Sequence, residues 1–336
     1  MARSMFSTLC AGLKATFCGA GWRSAPRAPV VSESLMRPEG ERHYLLALPS
    51  KTATGKRPLV VAMHGAGASA KQLFGMAFPP SPLSMWLEIA EREQVVVAAA
   101  DAGKGGWNDC FAGAERVAKK DDVAFIGAII DRAIAEHEVD SERVYVIGVS
   151  RGGLLAYRVA TEIPHKLAAF SAVLACMPPP DRARMPEAAL PALIFGCTCD
   201  PFFPYQGGKY FYTLGFLDSV ASIEESAKIW RELAGLPDAP VVSNIAHRNS
   251  WDKTRTTYYL WGEGSDQMQI GLYKIERGGH AEPSCVQRYP YFINKLVGPQ
   301  NADFEVAEAA WDFFKHKRSR RTETASLKET VEIVEQ

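Results

Sequence analysis

Short runs of apolar residues, many of them β-branched, alternate along this chain with longer segments whose apolar residues recur every three or four positions. The alternation begins near Arg42 and continues to about His316. Strands and helices that alternate in this way are typical of a mostly parallel sheet with helices packed on both faces. The hydrophobic pattern therefore predicts an α/β fold.

The predicted strands are short, and one of them is apolar throughout. They comprise residues 43–48, 59–63, 95–99, 144–147, 192–195 and 270–275. The continuous apolar run at 144–147 indicates a strand that is buried on both faces. The predicted helices comprise residues 85–93, 122–137, 152–161, 223–234 and 304–316. In the second of these, Val123, Ile126 and Ile130 have the spacing of one helix face.

The charge balance excludes several classes of partner. The chain has 336 residues, with 38 lysines and arginines against 38 acidic residues, so its net charge is zero. A neutral chain creates no field that attracts polyanions, which argues against a nucleic-acid partner. No apolar run reaches the roughly 18 residues of a membrane-spanning helix, so no integral membrane segment is expected. The sequence leaves the oligomeric state open.

Seven cysteines stand at irregular spacing, and two of them, Cys197 and Cys199, form a C-x-C pair. A structural zinc site needs four ligands, and no second cysteine or histidine pair lies near this one in the sequence. We therefore interpret both cysteines as small apolar side chains that are buried.

The two ends of the chain differ in composition from the rest. Residues 1–38 are predicted to be a leader that is either disordered or a targeting segment, because the chain before Glu33 has four basic residues and no acid. Lys14 interrupts the candidate apolar stretch of a secretory signal, which favours a cytoplasmic location over a secreted one. Residues 318–336 are polar and charged and are predicted to form a disordered tail.

The strongest chemical signal is a G-x-S-x-G motif at residues 148–152, centred on Ser150, between a predicted strand and a predicted helix. In this motif the serine occupies a tight, strained turn, and glycines stand two positions before and after it because side chains there would collide with neighbouring elements. The turn exposes the hydroxyl at a helix N-terminus, where backbone N–H groups favour developing negative charge. We predict that Ser150 is a catalytic nucleophile.

A serine nucleophile needs a base, and the base needs an orienting carboxylate, in the chain order Ser, Asp or Glu, His. Asp200 follows the predicted strand 192–195, and His280 follows the predicted strand 270–275. Both side chains are therefore expected at the edge of the sheet where the strands end. His280 is predicted to be the base. Asp200 is predicted to orient it, with turn capping before a proline as the alternative.

The oxyanion of a tetrahedral intermediate needs N–H donors. The backbone N–H of Arg151 is one candidate, and the loop at residues 64–67 offers the N–H of Ala66 as the second. This loop lacks the third glycine and the acidic residue of a dinucleotide site. No cofactor is therefore expected.

A weaker, metal-dependent alternative would use His64, Asp121 and Asp122. The adjacent aspartates stand at the start of a predicted helix. They are explained there as an N-cap and as a charge that complements the helix dipole, so no metal is expected.

The motifs around the candidate nucleophile, acid, base and oxyanion loop, together with several others, follow one another along the chain. In that order they resemble the polyhydroxybutyrate depolymerase and feruloyl esterase family of α/β-hydrolases. They are PLVV at 58–61 before HG at 64–65, GWND at 106–109, DDVAFI at 121–126, the segment 140–153, DP at 200–201 before PYQGG at 204–208, GGH at 278–280 and WDFF at 311–314. The resemblance runs from about Glu41 to Lys317, and residues 39–317 are interpreted as one catalytic domain. It implies an α/β-hydrolase fold, a triad of Ser150, Asp200 and His280, and an oxyanion hole formed by Ala66 and Arg151.

Two departures from the family pattern bear on the substrate. The family often has a small polar residue after the serine, whereas this chain has Arg151, which either binds an anionic group or forms a surface salt bridge. The family usually has Trp-Pro after the base, and here Glu282 precedes the proline. The candidate substrate contacts, with packing as the alternative for the aromatic residues, are His64, Trp107, Phe202, Tyr205 and Glu282.

The sequence therefore predicts a cofactor-free serine esterase that acts through an acyl-enzyme on a small-molecule or oligomeric ester. Short-chain, hydroxyalkanoate and hydroxycinnamoyl esters are the candidate substrates. A peptidase or a thioesterase that uses the same triad is the alternative within the class. A catalytically silent binding protein of the same fold is the alternative outside it, and the intact set of motifs argues against it.

Overall fold

The computed structural model describes residues 25–52, 54–109, 120–178, 183–212 and 215–319. The strands of this part of the chain are β1 (Val30–Arg37), β2 (Gly40–Ala47), β3 (Arg57–Met63), β4 (Val96–Ala100), β5 (Val139–Val149), β6 (Ala169–Val173), β7 (Ala192–Cys197), β8 (Gly208–Tyr212), β9 (Gly215–Val220), β10 (Val241–Asn244), β11 (Arg255–Trp261) and β12 (Ile270–Glu276). The helices are α1 (Ala70–Leu73), α2 (Trp86–Glu93), α3 (Asp122–Glu136), α4 (Arg151–Glu162), α5 (Ile223–Leu233), α6 (Tyr291–Val297) and α7 (Val306–Phe314).

One large sheet organises the chain, in the order β1-β2-β4-β3-β5-β6-β7-β12-β11-β10. The six central strands of this order, β4-β3-β5-β6-β7-β12, run parallel to one another. Antiparallel pairings add two further strands at each edge. A separate hairpin pairs β8 with β9. The predicted mostly parallel sheet is confirmed.

Helices cover both faces of the sheet. Side chains of α3, α4 and α5 form one apolar core with one face, and those of α1, α2 and α7 form a second core with the other. Strands β4 and β6 are buried at every position. A strand covered on both faces carries apolar residues consecutively, which is why the 144–147 run shows no alternation. None of the helices in the described residues is both long and apolar enough to cross a bilayer.

Every predicted strand and helix coincides with an element of the structure, but several elements have no signal in the hydrophobic pattern. Strand β6 reads AFSAV, and alanine and serine are weak strand formers, so only its burial between β5 and β7 explains it. Strand β10 is exposed along its whole length at the sheet edge. Such elements are formed by their neighbours rather than by their own residues.

Strand β1 lies within the segment that was expected to be a leader. It pairs with β2 along its whole length, with Val30 opposite Ala47 and Arg37 opposite Gly40. Its residues are exposed or half-buried, so it shows no run of buried apolar positions. The folded part of the chain therefore begins before residue 39. Residues 1–24 and 320–336, which include most of the expected leader and tail, lie outside the described residues.

The C-x-C pair is divided between two environments. Cys197 ends β7 and is buried, whereas Cys199 lies in the following turn and is exposed. The strand ends before it reaches the second cysteine, so the two side chains do not share a strand face. The interpretation of both cysteines as buried apolar side chains is correct for Cys197 and wrong for Cys199.

The two adjacent aspartates at the start of α3 have different roles. Asp121 is the N-cap and accepts a hydrogen bond from the N–H of Ala124 (2.9 Å). Asp122 is fully buried, forms an ion pair with Arg42 and accepts a hydrogen bond from the N–H of Asn108 (2.6 Å). The expected N-cap is confirmed, and the second carboxylate is a buried ion-pair partner rather than a dipole charge at the surface.

This difference predicts unequal losses of stability. We expect Asp122→Ala to lower the free energy of unfolding by about 3 kcal/mol, because the buried Arg42 guanidinium then keeps only its ion pair with Glu39 and the Asn108 N–H loses its acceptor. Asp121→Ala is the matched control and should cost about 1 kcal/mol, the usual value for a lost N-cap. Chemical denaturation of both variants measures the difference. Equal losses would contradict the assigned roles.

Candidate active site

Ser150 stands in a sharp turn between β5 and α4. Its backbone has φ 56° and ψ −121°, a left-handed conformation that costs free energy for a residue other than glycine. A Cβ atom at Gly148 would lie 1.9 Å from the carbonyl oxygen of Gly152, and one at Gly152 would lie 2.2 Å from that of Met63. Both glycines are therefore required by the close approach of β5, α4 and β3.

Neighbouring backbone holds the turn in place. The N–H of Ser150 donates to the carbonyl oxygen of Val173 at the end of β6 (2.8 Å). Its carbonyl oxygen accepts from the N–H groups of Gly153 (2.8 Å) and Leu154 (3.1 Å) in the first turn of α4. The side chain thus lies at the N-terminus of a helix, where backbone N–H groups attract negative charge.

Asp200 and His280 lie on the loops that follow the parallel neighbours β7 and β12. The Nδ1 atom of His280 is 2.6 Å from Oδ2 of Asp200. The other carboxylate oxygen of Asp200 accepts from the backbone N–H groups of Phe202 (2.8 Å) and Phe203 (2.9 Å). Asp200 therefore both holds its own turn and pairs with the histidine, so the two alternatives considered for it are compatible.

Several opposing effects set the pKa of His280. Burial is the largest effect and lowers the pKa, because it disfavours the charged imidazolium. The charge and the hydrogen bond of Asp200 raise it, and the charge of Glu282 adds to them. Together the carboxylates outweigh burial, and the pKa of His280 lies above its ordinary value of 6.5.

Ser150 and His280 line one cavity of about 600 Å³. Its lining also includes the 64–68 loop, Phe202, Phe203, Glu282, and Ile293 and Val297 of α6. Helix α6 has no buried residue. The carbonyl oxygen of Val297 accepts a hydrogen bond from the N–H of His280, which ties this helix to the histidine loop.

His64 supports the loop that approaches Ser150. The N–H of Ala102 donates to its Nε2 (3.1 Å), so the ring proton is on Nδ1, which lies 2.8 Å from the carbonyl oxygen of Gly65. Burial lowers the pKa of His64, which favours this neutral ring. A Cβ atom at Gly65 would lie 3.3 Å from Cβ of Ser150. The loop that carries Ala66 thus passes directly beside the serine.

The other candidate substrate contacts divide into two groups. Phe202 and Glu282 line the cavity, and the ring of Phe202 packs edge-on against His280 with 5.1 Å between centroids. Trp107 and Tyr205 are buried and are not among the lining residues. The indole of Trp107 donates to the carbonyl oxygen of His64 (2.8 Å), and the hydroxyl of Tyr205 is 3.1 Å from a carboxylate oxygen of Glu224. Both rings support the neighbouring loops from within the core.

The three residues of the metal-dependent alternative, His64, Asp121 and Asp122, each have separate structural contacts. The Asp121 and Asp122 carboxylates are engaged at the start of α3, and His64 is bonded to backbone. Within the described ranges, no group of three or more histidine, cysteine or acidic side chains could hold a metal ion.

Comparison with known proteins decides the family. The sequence profile of the phospholipase/carboxylesterase family matches residues 50–232, more than half of the chain. The chain belongs to this family. As a carboxylesterase it is a serine ester hydrolase, the enzyme class that the motifs predict.

A relative that covers most of the chain agrees with this assignment, and solved structures resemble its fold. The "putative esterase NocK" of Nocardia uniformis subsp. tsuyamanensis is 30% identical over 277 residues, which cover 76% of this chain and 74% of NocK. The solved acetyl xylan esterase from Aspergillus awamori matches with a TM-score of 0.52 at 15% identity, over 79% of this chain and 98% of that one. The poly(3-hydroxybutyrate) depolymerase LpqC from Bordetella parapertussis matches with a TM-score of 0.45 at 18% identity, over 62% and 78%. The family match and the likeness to the acetyl xylan esterase confirm the expected α/β-hydrolase fold.

The side chain of Arg151 in this carboxylesterase is an internal anchor. Its guanidinium forms a buried ion pair with Asp109 through Nε, donates from Nη2 to the second carboxylate oxygen (2.7 Å) and donates to the carbonyl oxygen of Trp107 (3.0 Å). Asp109 is almost fully buried. The salt bridge considered from the sequence is thus present, but it lies inside the protein rather than on its surface.

The contacts that three residues of the site make have no signal in the sequence. Asp109 is the last residue of the GWND segment, but nothing in that segment indicates its partner. Ser81 and Tyr289 line the cavity from distant loops and contact Glu282. The only local signal at Ser81 is its N-cap position before a prolyl 3₁₀ turn. Only the tertiary fold brings these residues together.

The buried pair predicts a non-additive effect on stability. We expect Arg151→Met to lower the free energy of unfolding by about 3–5 kcal/mol, because the buried Asp109 carboxylate loses its cation. The double variant Arg151→Met/Asp109→Leu should lose less, since no buried charge remains unpaired. Denaturant titrations of both variants and of Asp109→Leu complete the cycle. A double variant as unstable as the sum of the single ones would show that the pair does not act as a unit.

Proposed function

We propose that Ser150, His280 and Asp200 form the catalytic triad of this carboxylesterase, which acts through an acyl-enzyme. The observation that carries the proposal is the pairing of His280 with Asp200 at 2.6 Å, on the wall of the same cavity that exposes Ser150. The strained backbone of Ser150 supports it further, because non-glycine residues with positive φ cluster at functional sites.

In the first half of the reaction, Oγ of Ser150 attacks the ester carbonyl carbon while Nε2 of His280 takes the hydroxyl proton. Asp200 accepts the hydrogen bond of Nδ1–H, which holds the imidazole with Nε2 free to act as base and stabilises the imidazolium that forms. The raised pKa of His280 is consistent with this stabilisation, because a raised pKa means that the surroundings favour the imidazolium over the neutral ring.

The negative charge that develops on the carbonyl oxygen needs preorganised donors. We assign this role to the backbone N–H groups of Arg151, at the N-terminus of α4, and of Ala66, in the loop beside Ser150. The internal contacts of His64 and of the Arg151 side chain keep both backbone segments in position. Rigid donors stabilise the oxyanion without reorganising during the reaction.

The second half of the reaction releases both products. His280 returns its proton to the alkoxide as the C–O bond of the tetrahedral intermediate breaks, and the alcohol leaves. A water molecule then loses a proton to His280 and attacks the acyl carbon, and breakdown of the second intermediate returns the proton to Ser150 and frees the carboxylic acid.

The candidate substrates are short-chain, hydroxyalkanoate and hydroxycinnamoyl esters. The cavity of about 600 Å³ is of the size that accommodates a small organic molecule. Its wall contains the aromatic side chains Phe202 and Phe203, which provide apolar contact for an acyl or alcohol group. We therefore propose a small ester as the substrate. An oligomeric ester would place one of its terminal units in the cavity.

Replacement of the nucleophile tests the triad. We expect Ser150→Ala to lower kcat/KM for 4-nitrophenyl esters on the order of 10³-fold or more, because only the oxyanion donors and binding remain. Labelling of the wild type by a fluorophosphonate should disappear with the same substitution. Ser84→Ala, which removes a buried hydroxyl that does not line the cavity, is the matched control. Thioester and amide substrates measured in parallel separate an esterase from a thioesterase or a peptidase, and full activity in Ser150→Ala would disprove the mechanism.

The pH dependence follows from the state of His280, which must be neutral to accept a proton. Because its pKa is raised, kcat/KM should rise with pH and reach half of its plateau above pH 6.5. Asp200→Asn removes the largest of the raising effects, so this half-maximum should move to lower pH while the plateau falls. A pH–rate profile of the two proteins measures both changes. A wild-type half-maximum well below pH 6.5 would contradict the assignment of His280 as the base.

A further inference from the structure

Glu282 places a buried carboxylate in the wall of the cavity. Only 5% of the residue is exposed, and it lines the cavity together with Ser150 and His280. Its Oε1 accepts a hydrogen bond from the hydroxyl of Ser81 (2.9 Å), and its Oε2 accepts one from the hydroxyl of Tyr289 (2.8 Å). Both oxygens are acceptors in these contacts, and each has a further lone pair that can face a ligand.

The donors of Glu282 are neutral. The hydroxyl of Ser81 donates to the carboxylate and accepts from the N–H of Leu83 (3.1 Å). Burial, and then Glu282 itself, raise the pKa of Tyr289, which therefore remains a protonated donor. Across the described residues, no lysine or arginine forms an ion pair with Glu282.

The basic groups in the cavity wall do not neutralise this charge. Arg151 is already paired with Asp109, and burial lowers the pKa of His64, which favours its neutral ring. Among the lining residues in the described part of the chain, His280 is the remaining basic side chain, and it is paired with Asp200. A buried carboxylate without a cation costs free energy, so its presence in a cavity indicates a site for a positively charged ligand group.

Aromatic rings surround the same space. Phe202, Phe203 and Tyr289 line the cavity with Glu282. Aromatic faces attract ammonium groups through the ring quadrupole, and a carboxylate adds direct charge complementarity. Aromatic rings beside a carboxylate are the groups that bind substituted ammonium ligands.

We propose that Glu282 is a specificity-determining residue that selects esters carrying an ammonium group in the alcohol or the acyl part. The proposal rests on the proposed function, because the ester must lie within reach of Ser150. Glu282 also acts on His280 through its charge, so removing it changes the turnover of every ester. The diagnostic quantity is therefore the ratio of kcat/KM for a cationic ester to that for its neutral isostere, in which the shared effect on His280 cancels.

The experiment compares choline esters with the matching 3,3-dimethylbutyl esters, in which carbon replaces the quaternary nitrogen. Homologues with two, three and four methylene groups between the cation and the ester allow for different distances between Glu282 and the ester group at Ser150. A second series carries the cation in the acyl part. We expect the wild type to prefer the cationic member by about tenfold or more in at least one series. In Glu282→Gln the ratio should fall to about one. Glu88→Gln, which changes a buried glutamate that does not line the cavity, should keep the wild-type ratio.

The outcomes separate this proposal from the triad. Turnover of the neutral esters by the wild type and its loss in Ser150→Ala test the triad alone. A wild-type ratio near one in every series, or a ratio that survives in Glu282→Gln, would overturn the role of Glu282. A preference for glyceryl esters over both members of each pair would also overturn it, because it would make the carboxylate an acceptor for hydroxyl groups.

A measurement on the unmodified enzyme keeps the proposal testable if Glu282→Gln does not fold. Choline should inhibit the hydrolysis of a neutral ester competitively, with an inhibition constant about tenfold lower than that of 3,3-dimethylbutanol. Equal inhibition by the two alcohols would exclude a cation site in the cavity.

Discussion

The crowding of backbone around Ser150 is the constraint on which the site depends. β5, α4 and β3 approach so closely that a methyl group at Gly148 or Gly152 would lie 1.9–2.2 Å from a carbonyl oxygen. The chain can pass this point only through a left-handed residue, and the buried parallel strands on either side hold that residue in its strained conformation. The position of the Ser150 hydroxyl in the cavity wall therefore depends on the central sheet and not on the turn alone.

Much of this arrangement could be predicted because it follows from strand order. Asp200 and His280 are far apart in sequence, but each follows a strand with a clear apolar run, and parallel strands deliver the residues after them to one edge. The glycines around Ser150 are visible because their requirement is local and steric. The same reasoning identifies Phe202, which stands two residues after Asp200 and lines the cavity.

Other features could not be predicted, because they depend on contacts between segments with no periodic pattern. Ser81 contacts Glu282 across 201 residues, and neither lies in a strand or a long helix. Trp107 and Tyr205 have the composition expected of a substrate pocket, but packing places both rings in the core. For Arg151, next to Ser150, the sequence left a substrate contact and a surface salt bridge open, and its partner Asp109 becomes visible only when the loop at residues 101–109 is placed beside α4.

Helix α6 gives the site a different kind of boundary from the sheet. Tyr291, Phe292 and Leu296 are largely exposed, and no residue of the helix is buried, although Ile293 and Val297 line the cavity. An element with so little buried surface opens locally at a free energy far below that of global unfolding. Its backbone amides should therefore exchange with solvent much faster than those of β5 or β6, and opening of its last turn would also release the hydrogen bond between Val297 and the N–H of His280. Substitutions on this helix can therefore change the surface through which a substrate approaches the cavity without a cost to the packed core.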